Sequence, residues 1–194
     1  MSTAPDKPLR KDAQRNRDKL VAAATDLFSA QGPDVSLEAV ARAAGTGIGT
    51  LYRNFPTRDD LIEAVYRTEV AALGEAADTL LAEHEPDVAL ERWMDRYLVY
   101  VATKRGLGEA LRKIAASSAP DLLGGAKAGL MDALDRILAA GVERGTFRAD
   151  VEAADVLRAM NAVWLLEADA PGGEEQARTI LKLVRDGLRY GAAS

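Results

Sequence analysis

The chain has 194 residues, of which 48% are hydrophobic and 28% charged, a length and composition typical of one globular unit or two small ones. Its 30 Asp and Glu residues outnumber its 25 Lys and Arg residues, and the resulting net charge of -5 argues against a simple cationic nucleic-acid binder. The absence of Cys excludes disulfides, thiolate zinc sites and thiol nucleophiles.

The sequence contains no signal for a membrane or an export pathway. No run approaches the roughly 18 consecutive apolar residues of a membrane span, and residues 1–10 lack the apolar segment of a signal peptide. We therefore expect a cytoplasmic protein without a membrane partner. Aromatic residues make up only 5% of the chain and alternating Val, Ile and Thr stretches are absent, so an all-α fold is predicted.

The N-terminal part predicts a short arm followed by three helices. Residues 1–9 are expected to form a disordered, basic arm. Apolar residues at three- and four-residue steps predict a first helix from Arg10 to the break at Gly32 and Pro33. Two short helices are predicted next, over 36–43 and 48–54.

A longer helical body follows. Thr57 and, three residues later, Asp60 have the form of an N-cap with an acidic N3 residue, which predicts a long fourth helix over 58–82. Five more amphipathic helices are predicted between Pro and Gly breaks, over 87–104, 107–117, 120–144, 150–167 and 174–190. About nine helices are expected in all.

Enzyme chemistry is not indicated. The single His, His84, lies between Glu83 and Glu85 and has no recognisable partner nucleophile. The Gly-Gly pairs at 124–125 and 172–173 follow no strand, so they do not predict phosphate-binding loops. We expect no catalysis, no cofactor and no bound metal.

The two short helices have the spacing of a helix-turn-helix, in which the second helix enters the major groove of DNA. The same spacing occurs at packing corners of helical proteins, and Leu37, Val40 and Leu51 would then simply be core residues. Spacing alone leaves both interpretations open.

The residues of this segment resemble the signature of the TetR family of bacterial transcriptional regulators. The resemblance covers 17–66 and is carried by SLEAVARAAG at 36–45, by TGIGTLYRNF at 46–55, and by Arg58 and Leu61. The family usually has a hydrophobic residue at the position of Thr46 and a serine at that of Gly47. These departures predict a weak N-terminal cap on the second short helix.

The resemblance implies a helix-turn-helix DNA-binding domain over 10–57 and a helical ligand-binding and dimerisation domain over 58–194. It further implies a homodimeric repressor that binds a palindromic double-stranded DNA operator and is released by a small-molecule effector. The alternative is a helical protein that dimerises or binds a partner protein without specific DNA binding.

The distribution of charge agrees with a DNA-binding N-terminal part. Residues 1–58 carry nine Lys and Arg against six Asp and Glu, net +3, whereas residues 59–194 carry 16 against 24, net -8. Phosphate contacts depend on the potential within a Debye length of about 8 to 10 Å, so the acidic body does not prevent them. Five cations near the start either strengthen DNA binding or form a solvated helix start: Lys7, Arg10, Lys11, Arg15 and Arg17.

Candidate DNA-contacting residues can be assigned by chemistry. Ser36 can cap its helix and donate to a phosphate, and Arg53 and Arg58 offer charge-assisted bonds to phosphate, with a guanine edge as a second option for Arg53. The resemblance implies phosphate contacts for Tyr52 and Asn54. The remaining candidates are Ile48 and Thr50 for base reading, and Gly47 and Gly49, which permit close backbone approach. We expect Leu51 and Phe55 in the core.

Two further surfaces are predicted in the C-terminal body. The last two helices are candidates for a dimer interface, unless their apolar residues are buried within one chain: Val156, Leu157, Met160, Val163, Trp164, Leu165 and Leu166 on one, and Ile180, Leu181, Leu183, Val184 and Leu188 on the other. The few aromatic residues concentrate where the family keeps a small-molecule cavity, although aromatics at helical spacing also form ordinary core. The candidate effector pocket comprises Trp93, Tyr97, Tyr100, Met131, Met160, Asn161 and Trp164.

Overall fold

A computed structural model describes residues 7–32, 34–117, 119, 122–166 and 172–190, together with their side chains except those of 7–11, 126, 164 and 165. Within these ranges the regular secondary structure is entirely helical, which confirms the all-α prediction. The helices are α1 (Lys7–Gln31), α2 (Leu37–Ala43), α3 (Ile48–Asn54), α4 (Arg58–Glu83), α5 (Pro86–Gly106), α6 (Gly108–Ser117), α7 (Leu122–Glu143), α8 (Ala153–Met160) and α9 (Gly173–Arg189), with a 3₁₀ helix over Asn161–Leu165 between α8 and α9.

The first helix begins earlier than predicted. α1 includes residues 7–9, which the sequence had suggested as part of a disordered arm. Pro8 is compatible with this position because the N–H groups of the first helical turn have no intrahelical acceptor, so a proline there removes no hydrogen bond. The rest of the predicted arm, residues 1–6, lies outside the described part of the chain.

The predicted helix over 150–167 is shorter than expected. Its α-helical part starts at Ala153 and gives way to the 3₁₀ helix at Asn161, and its predicted end at residue 167 lies outside the described residues. Asp150 does not open the helix. It accepts hydrogen bonds from Arg148 Nε and Nη2 at 2.6 and 2.7 Å, and these bonds lower the pKa of Asp150 to about 2.

The turn between α2 and α3 depends on Gly45. This residue has a φ of +65°, and its N–H donates to the carbonyl of Arg42 while the N–H of Thr46 donates to the carbonyl of Ala41. This pair of bonds is a Schellman motif, which needs a left-handed residue that glycine adopts without strain. At the other end of α2, Ser36 Oγ accepts a bond from the N–H of Ala39, which confirms the predicted N-cap.

The predicted cap of α4 is also confirmed. Thr57 Oγ1 accepts a bond from the N–H of Asp60 at 3.1 Å, and the carboxylate of Asp60 accepts one from the N–H of Thr57 at 2.8 Å. The two residues therefore form a reciprocal capping box. Among the described residues, no helix is both long enough and apolar enough to cross a membrane.

Packing divides the chain into two compact units. The N-terminal unit runs to Thr68 and includes Thr103–Leu122, and the C-terminal unit comprises Glu69–Ala102 and the chain from Leu123 onward. α4 contributes residues to both units. Side chains buried in the N-terminal unit include Leu20, Ala24, Phe28, Leu37, Val40, Leu51, Phe55, Leu61 and Val65. The core of the C-terminal unit includes Leu90, Trp93, Leu134, Ile137, Phe147 and Met160.

Candidate nucleic-acid interface

α3 has one buried face and one exposed apolar face. Leu51 is fully buried and Phe55, directly after the helix, is 1% exposed, as expected for core residues. Beside them, Ile48 is 36% and Tyr52 48% exposed. These two side chains are one helical turn apart and lie on the same face. A seven-residue helix that exposes two large apolar side chains presents a surface suited to a partner.

The two glycines at the start of α3 leave this end of the helix surface without side chains. A Cβ added at Gly47 or at Gly49 would meet nothing within 4 Å, so no neighbouring group requires glycine at either position. Gly47 is the N-cap of α3 and supplies no side-chain hydrogen bond, which confirms the weak cap predicted from the sequence. Another molecule can therefore approach the backbone closely at this end of the helix.

Three of the predicted DNA-contacting side chains bond to α3 itself. Arg53 donates through Nε to the carbonyl of Gly49 at 3.2 Å and through Nη2 to Thr50 Oγ1 at 3.1 Å. Asn54 Nδ2 donates to the carbonyl of Thr50 at 2.8 Å. Thr50 and Arg53 thus form one polar unit, and Arg53 keeps further guanidinium donors for an external acceptor.

Ser36 and Arg58 flank this surface in the sequence. Ser36 is exposed, and because its oxygen accepts the capping bond, its hydroxyl hydrogen remains available to donate. Arg58 is half-buried at the first position of α4. All eight predicted DNA-contacting residues therefore belong to the N-terminal unit, and whether each of them contacts DNA stays a prediction.

Arg17 has a role that sequence reasoning missed. It is one of the five cations near the start of the chain, but its Nη1 donates to the carbonyl of Asn54 and its guanidinium lies over the Phe55 ring. Of the other four cations, Arg15 is exposed, whereas the side chains of Lys7, Arg10 and Lys11 lie outside the described part. Sequence spacing carried no signal for the Arg17 contacts, because they join positions 37 and 38 residues apart.

In the C-terminal unit, three predicted pocket residues form a row on α5. The rings of Trp93 and Tyr97 are 6.0 Å apart and those of Tyr97 and Tyr100 are 5.9 Å apart, and all three residues are buried. The Tyr97 hydroxyl donates to Asn161 Oδ1 at 2.8 Å, and Asn161 is exposed. The aromatic row, defined as Trp93, Tyr97 and Tyr100, thus connects through Asn161 to the surface.

The other predicted pocket residues are less informative. Met160 is fully buried and Met131 half-buried, and the side chain of Trp164 lies outside the described part. A surface cleft of about 240 Å³ between α5 and α9 is lined by none of the seven predicted residues. The apolar residues that line this cleft include Met94, Leu98 and Leu181. The predicted effector pocket therefore stays a prediction.

Two side chains of the C-terminal unit bond to consecutive carbonyls of α4. Trp93 Nε1 donates to the carbonyl of Leu73 at 2.9 Å, and Arg136 Nη2 from α7 donates to that of Gly74 at 3.0 Å. Arg136 also pairs with Asp78 on α4 at 2.9 Å. The aromatic row is therefore tied directly to the backbone of α4.

The apolar residues predicted for a dimer interface separate into two groups. Those of α8 and the following segment are buried within the single chain at Val156, Leu157, Met160 and Val163, as are Leu181 and Leu188 on α9. For these residues the alternative interpretation, burial within one chain, is correct. Of the α9 residues predicted for the interface, Ile180, Leu183 and Val184 stay partly or fully exposed. Together with Tyr190, which directly follows the helix and is not among the predicted residues, they form an exposed stripe.

Comparisons with known proteins agree with this architecture. A model described as "Bacterial regulatory proteins, tetR family" matches residues 20–65, and one described as "Transcriptional regulator SbtR-like, C-terminal domain" matches residues 85–190, more than half of the chain. Among curated proteins, an HTH-type transcriptional regulator of Staphylococcus aureus strain USA300 is 36% identical over 63 residues. That match covers 32% of this chain and 34% of the relative, about a third of its length.

Solved structures match over nearly the whole chain. The TetR transcriptional regulator SCO0520 from Streptomyces coelicolor is 43% identical, with 91% of this chain and 99% of that chain covered and a TM-score of 0.82. A TetR transcription regulatory protein from Mycobacterium vanbaalenii is 35% identical, with 94% and 99% covered and a TM-score of 0.74. The chain therefore belongs to the TetR family of bacterial transcriptional regulators, which bind DNA through a helix-turn-helix.

Proposed function

We propose that this regulator is a homodimeric repressor that binds a palindromic operator and is released by a small-molecule effector. The observation that carries the proposal is the exposed face of α3, where Ile48, Tyr52 and Arg53 face solvent while Leu51 holds the helix in the core. A helix presented in this way matches the second helix of a helix-turn-helix, which reads the major groove.

The chemistry of this face supports a division of roles. Ile48 offers apolar contact to a thymine methyl group, and the polar unit of Thr50 and Arg53 offers donors to a base edge or a phosphate. Tyr52, Asn54 and, on neighbouring helices, Ser36 and Arg58 are assigned to the phosphate backbone. Gly47 and Gly49 allow the start of α3 to approach the DNA closely.

The proposal is tested by fluorescence-anisotropy titrations of the full-length protein against duplexes that tile the DNA flanking its own gene, at several salt concentrations. One duplex should bind far more tightly than a scrambled duplex of equal length, with affinity falling as salt rises. Ile48→Val should change the ranking of operator variants, whereas Tyr52→Phe should weaken all of them about equally. Weak binding without sequence preference would instead support a helical interaction protein.

The open space at Gly49 predicts that adding a side chain there has opposite effects on stability and on DNA binding. Gly49→Ala should raise the free energy of unfolding by about 0.5 to 1 kcal/mol, because the helix gains a better former in open space. The added methyl group should weaken operator binding at least about tenfold by blocking close approach. Gly129→Ala on α7 also has open space and serves as the control that gains stability without losing affinity. Unchanged affinity in Gly49→Ala would remove the close-approach role.

Dimerisation is proposed through the exposed stripe of α9. Ile180, Leu183, Val184 and Tyr190 recur at helical spacing next to the buried Leu181 and Leu188, and Leu183 is 67% exposed. Such a stripe on a surface helix is suited to pairing with the same helix of a second chain about a two-fold axis. The helix-turn-helix units of the two chains would then contact the two half-sites of a palindrome.

Leu183→Glu should convert the dimer to a monomer and weaken operator binding at least about tenfold, because a charge would replace an apolar contact at the interface centre. Its single-chain fold should remain, since Leu183 is exposed in the isolated chain. Light scattering after size exclusion measures the mass, with Lys182→Gln as a neighbouring control off the stripe. A Leu183→Glu protein that is as dimeric as the parent would rule out this interface.

We further propose that an effector binds at the aromatic row, reaching it from the side of Asn161. The aromatic faces offer stacking area, and the Tyr97 hydroxyl with its Asn161 partner offers a polar anchor. Trp93 bonds to the carbonyl of Leu73, so displacement of its ring would act directly on α4. The effector can shift the DNA-binding equilibrium only by its differential affinity for the two states.

Tyr97→Phe should raise the effector concentration needed for half-release of the operator about fivefold, through loss of one hydrogen bond. Operator affinity without effector should stay at the parent value, and Val99→Ala, an exposed change on the same helix, should alter neither quantity. The effector is first selected from a compound library by a rise in Tm and by release of the operator. A library in which compounds bind but none lowers operator affinity would argue against effector release.

A further inference from the structure

Arg17 on α1 is held against the end of α3 by two contacts. Its Nη1 donates a hydrogen bond to the carbonyl of Asn54 at 3.3 Å, and its guanidinium carbon lies 4.4 Å from the centre of the Phe55 ring. Arg17 is half-buried, whereas the side chain of Arg15, two residues earlier, is 74% exposed and pairs with Asp12 at 3.7 Å. The Arg17 side chain is therefore directed into the N-terminal unit.

The contact with Asn54 meets a need of α3. The last four carbonyls of an α-helix lack intrahelical donors, and the end of the helix dipole there favours a positive charge. In α3 the N–H of Phe55 satisfies the carbonyl of Leu51, and Arg17 supplies both a donor and a positive charge to the carbonyl of the final residue. The other end of α3, at Gly47, has no side-chain cap.

The contact with Phe55 connects the same cation to the core. The Phe55 ring is 1% exposed and directly follows α3, so its position moves with the end of the helix. A guanidinium over an aromatic face is attracted by the quadrupole of the ring, and more strongly in a partly desolvated site. Arg17 thus links α1 both to the last carbonyl of α3 and to its buried anchor.

We propose that Arg17 is a positioning residue for DNA reading, which fixes the C-terminal end of α3 so that Ile48 and Tyr52 meet the DNA in one orientation. The inference rests on the proposed DNA-binding role of α3. It replaces the phosphate contact that the position of Arg17 in the sequence had suggested. Side chains that read a ligand need support that holds them within about half an ångström.

Hydrogen exchange of the free, full-length protein tests, in the absence of DNA, whether Arg17 stabilises the end of α3. In Arg17→Met the amides of 48–55 should exchange about tenfold faster than in the parent, because the end of α3 loses its donor and its cation. The amides of α9 should be unchanged, and Arg15→Met, the matched loss of a cation, should resemble the parent throughout. Equal exchange of 48–55 in Arg17→Met and the parent would overturn the proposal.

Salt-dependent operator titrations separate positioning from a phosphate contact. Arg17→Met should weaken operator binding about tenfold at fixed salt with an unchanged slope of log affinity against log salt, whereas Arg58→Met should reduce that slope by about 0.9. Binding to a scrambled duplex should change less than about twofold, because that binding depends on charge rather than on orientation. A slope reduced by about 0.9 in Arg17→Met, or an unchanged operator affinity, would overturn the positioning role.

A conservative variant distinguishes loss of positioning from loss of the fold. Arg17→Lys keeps the positive charge, but a single ammonium group cannot serve the carbonyl and the ring with the fork geometry of a guanidinium. It should fold as the parent does and show intermediate exchange and intermediate operator affinity. A parent protein without sequence preference for any duplex would contradict the proposed function, and the exchange experiment would still decide whether Arg17 holds α3.

Discussion

The burial of Leu51 and Phe55 is the interaction on which the reading surface depends. A seven-residue helix is far too short to be stable alone in water, so α3 exists because its apolar side packs on α1 and α2. That packing determines which residues remain outside, and it leaves Ile48 and Tyr52 exposed beside the buried Leu51. The orientation of the DNA-reading face is thus a consequence of core formation.

In the proposed release by an effector, α4 is the helix on which the effector would act. It belongs to both compact units, and its N-terminus is defined by the capping box of Thr57 and Asp60. Further along, consecutive carbonyls already accept the bonds of Trp93 and Arg136. Carbonyls in the interior of a helix already accept intrahelical hydrogen bonds. The bonds from Trp93 and Arg136 therefore serve mainly to fix the position of α4. A ligand that displaces Trp93 would release one of these two attachments.

The sequence predicted the fold closely because helix boundaries are mostly local. Ser36, Gly45 and the capping box act within a few residues of where they stand, and each appears in the structure as expected. The misplaced boundaries have equally physical causes. A proline in the first turn does not stop a helix, and Asp150 is bound by Arg148 instead of opening α8. The candidate DNA-contacting residues follow from side-chain chemistry and, for Tyr52 and Asn54, from the family resemblance, and the structure adds their exposure and their mutual bonds.

The sequence by itself determined the helical class, the helix-turn-helix and a cationic N-terminal part within an acidic chain, because composition, periodicity and caps are properties of neighbouring residues. Only the tertiary structure decided which apolar positions of α8 and α9 are buried within the chain and which stripe of α9 remains exposed. It also decided that Arg17 faces the end of α3, more than 30 residues away. Such assignments depend on which side chains folding brings together, and amphipathic patterns define a face without naming its partner.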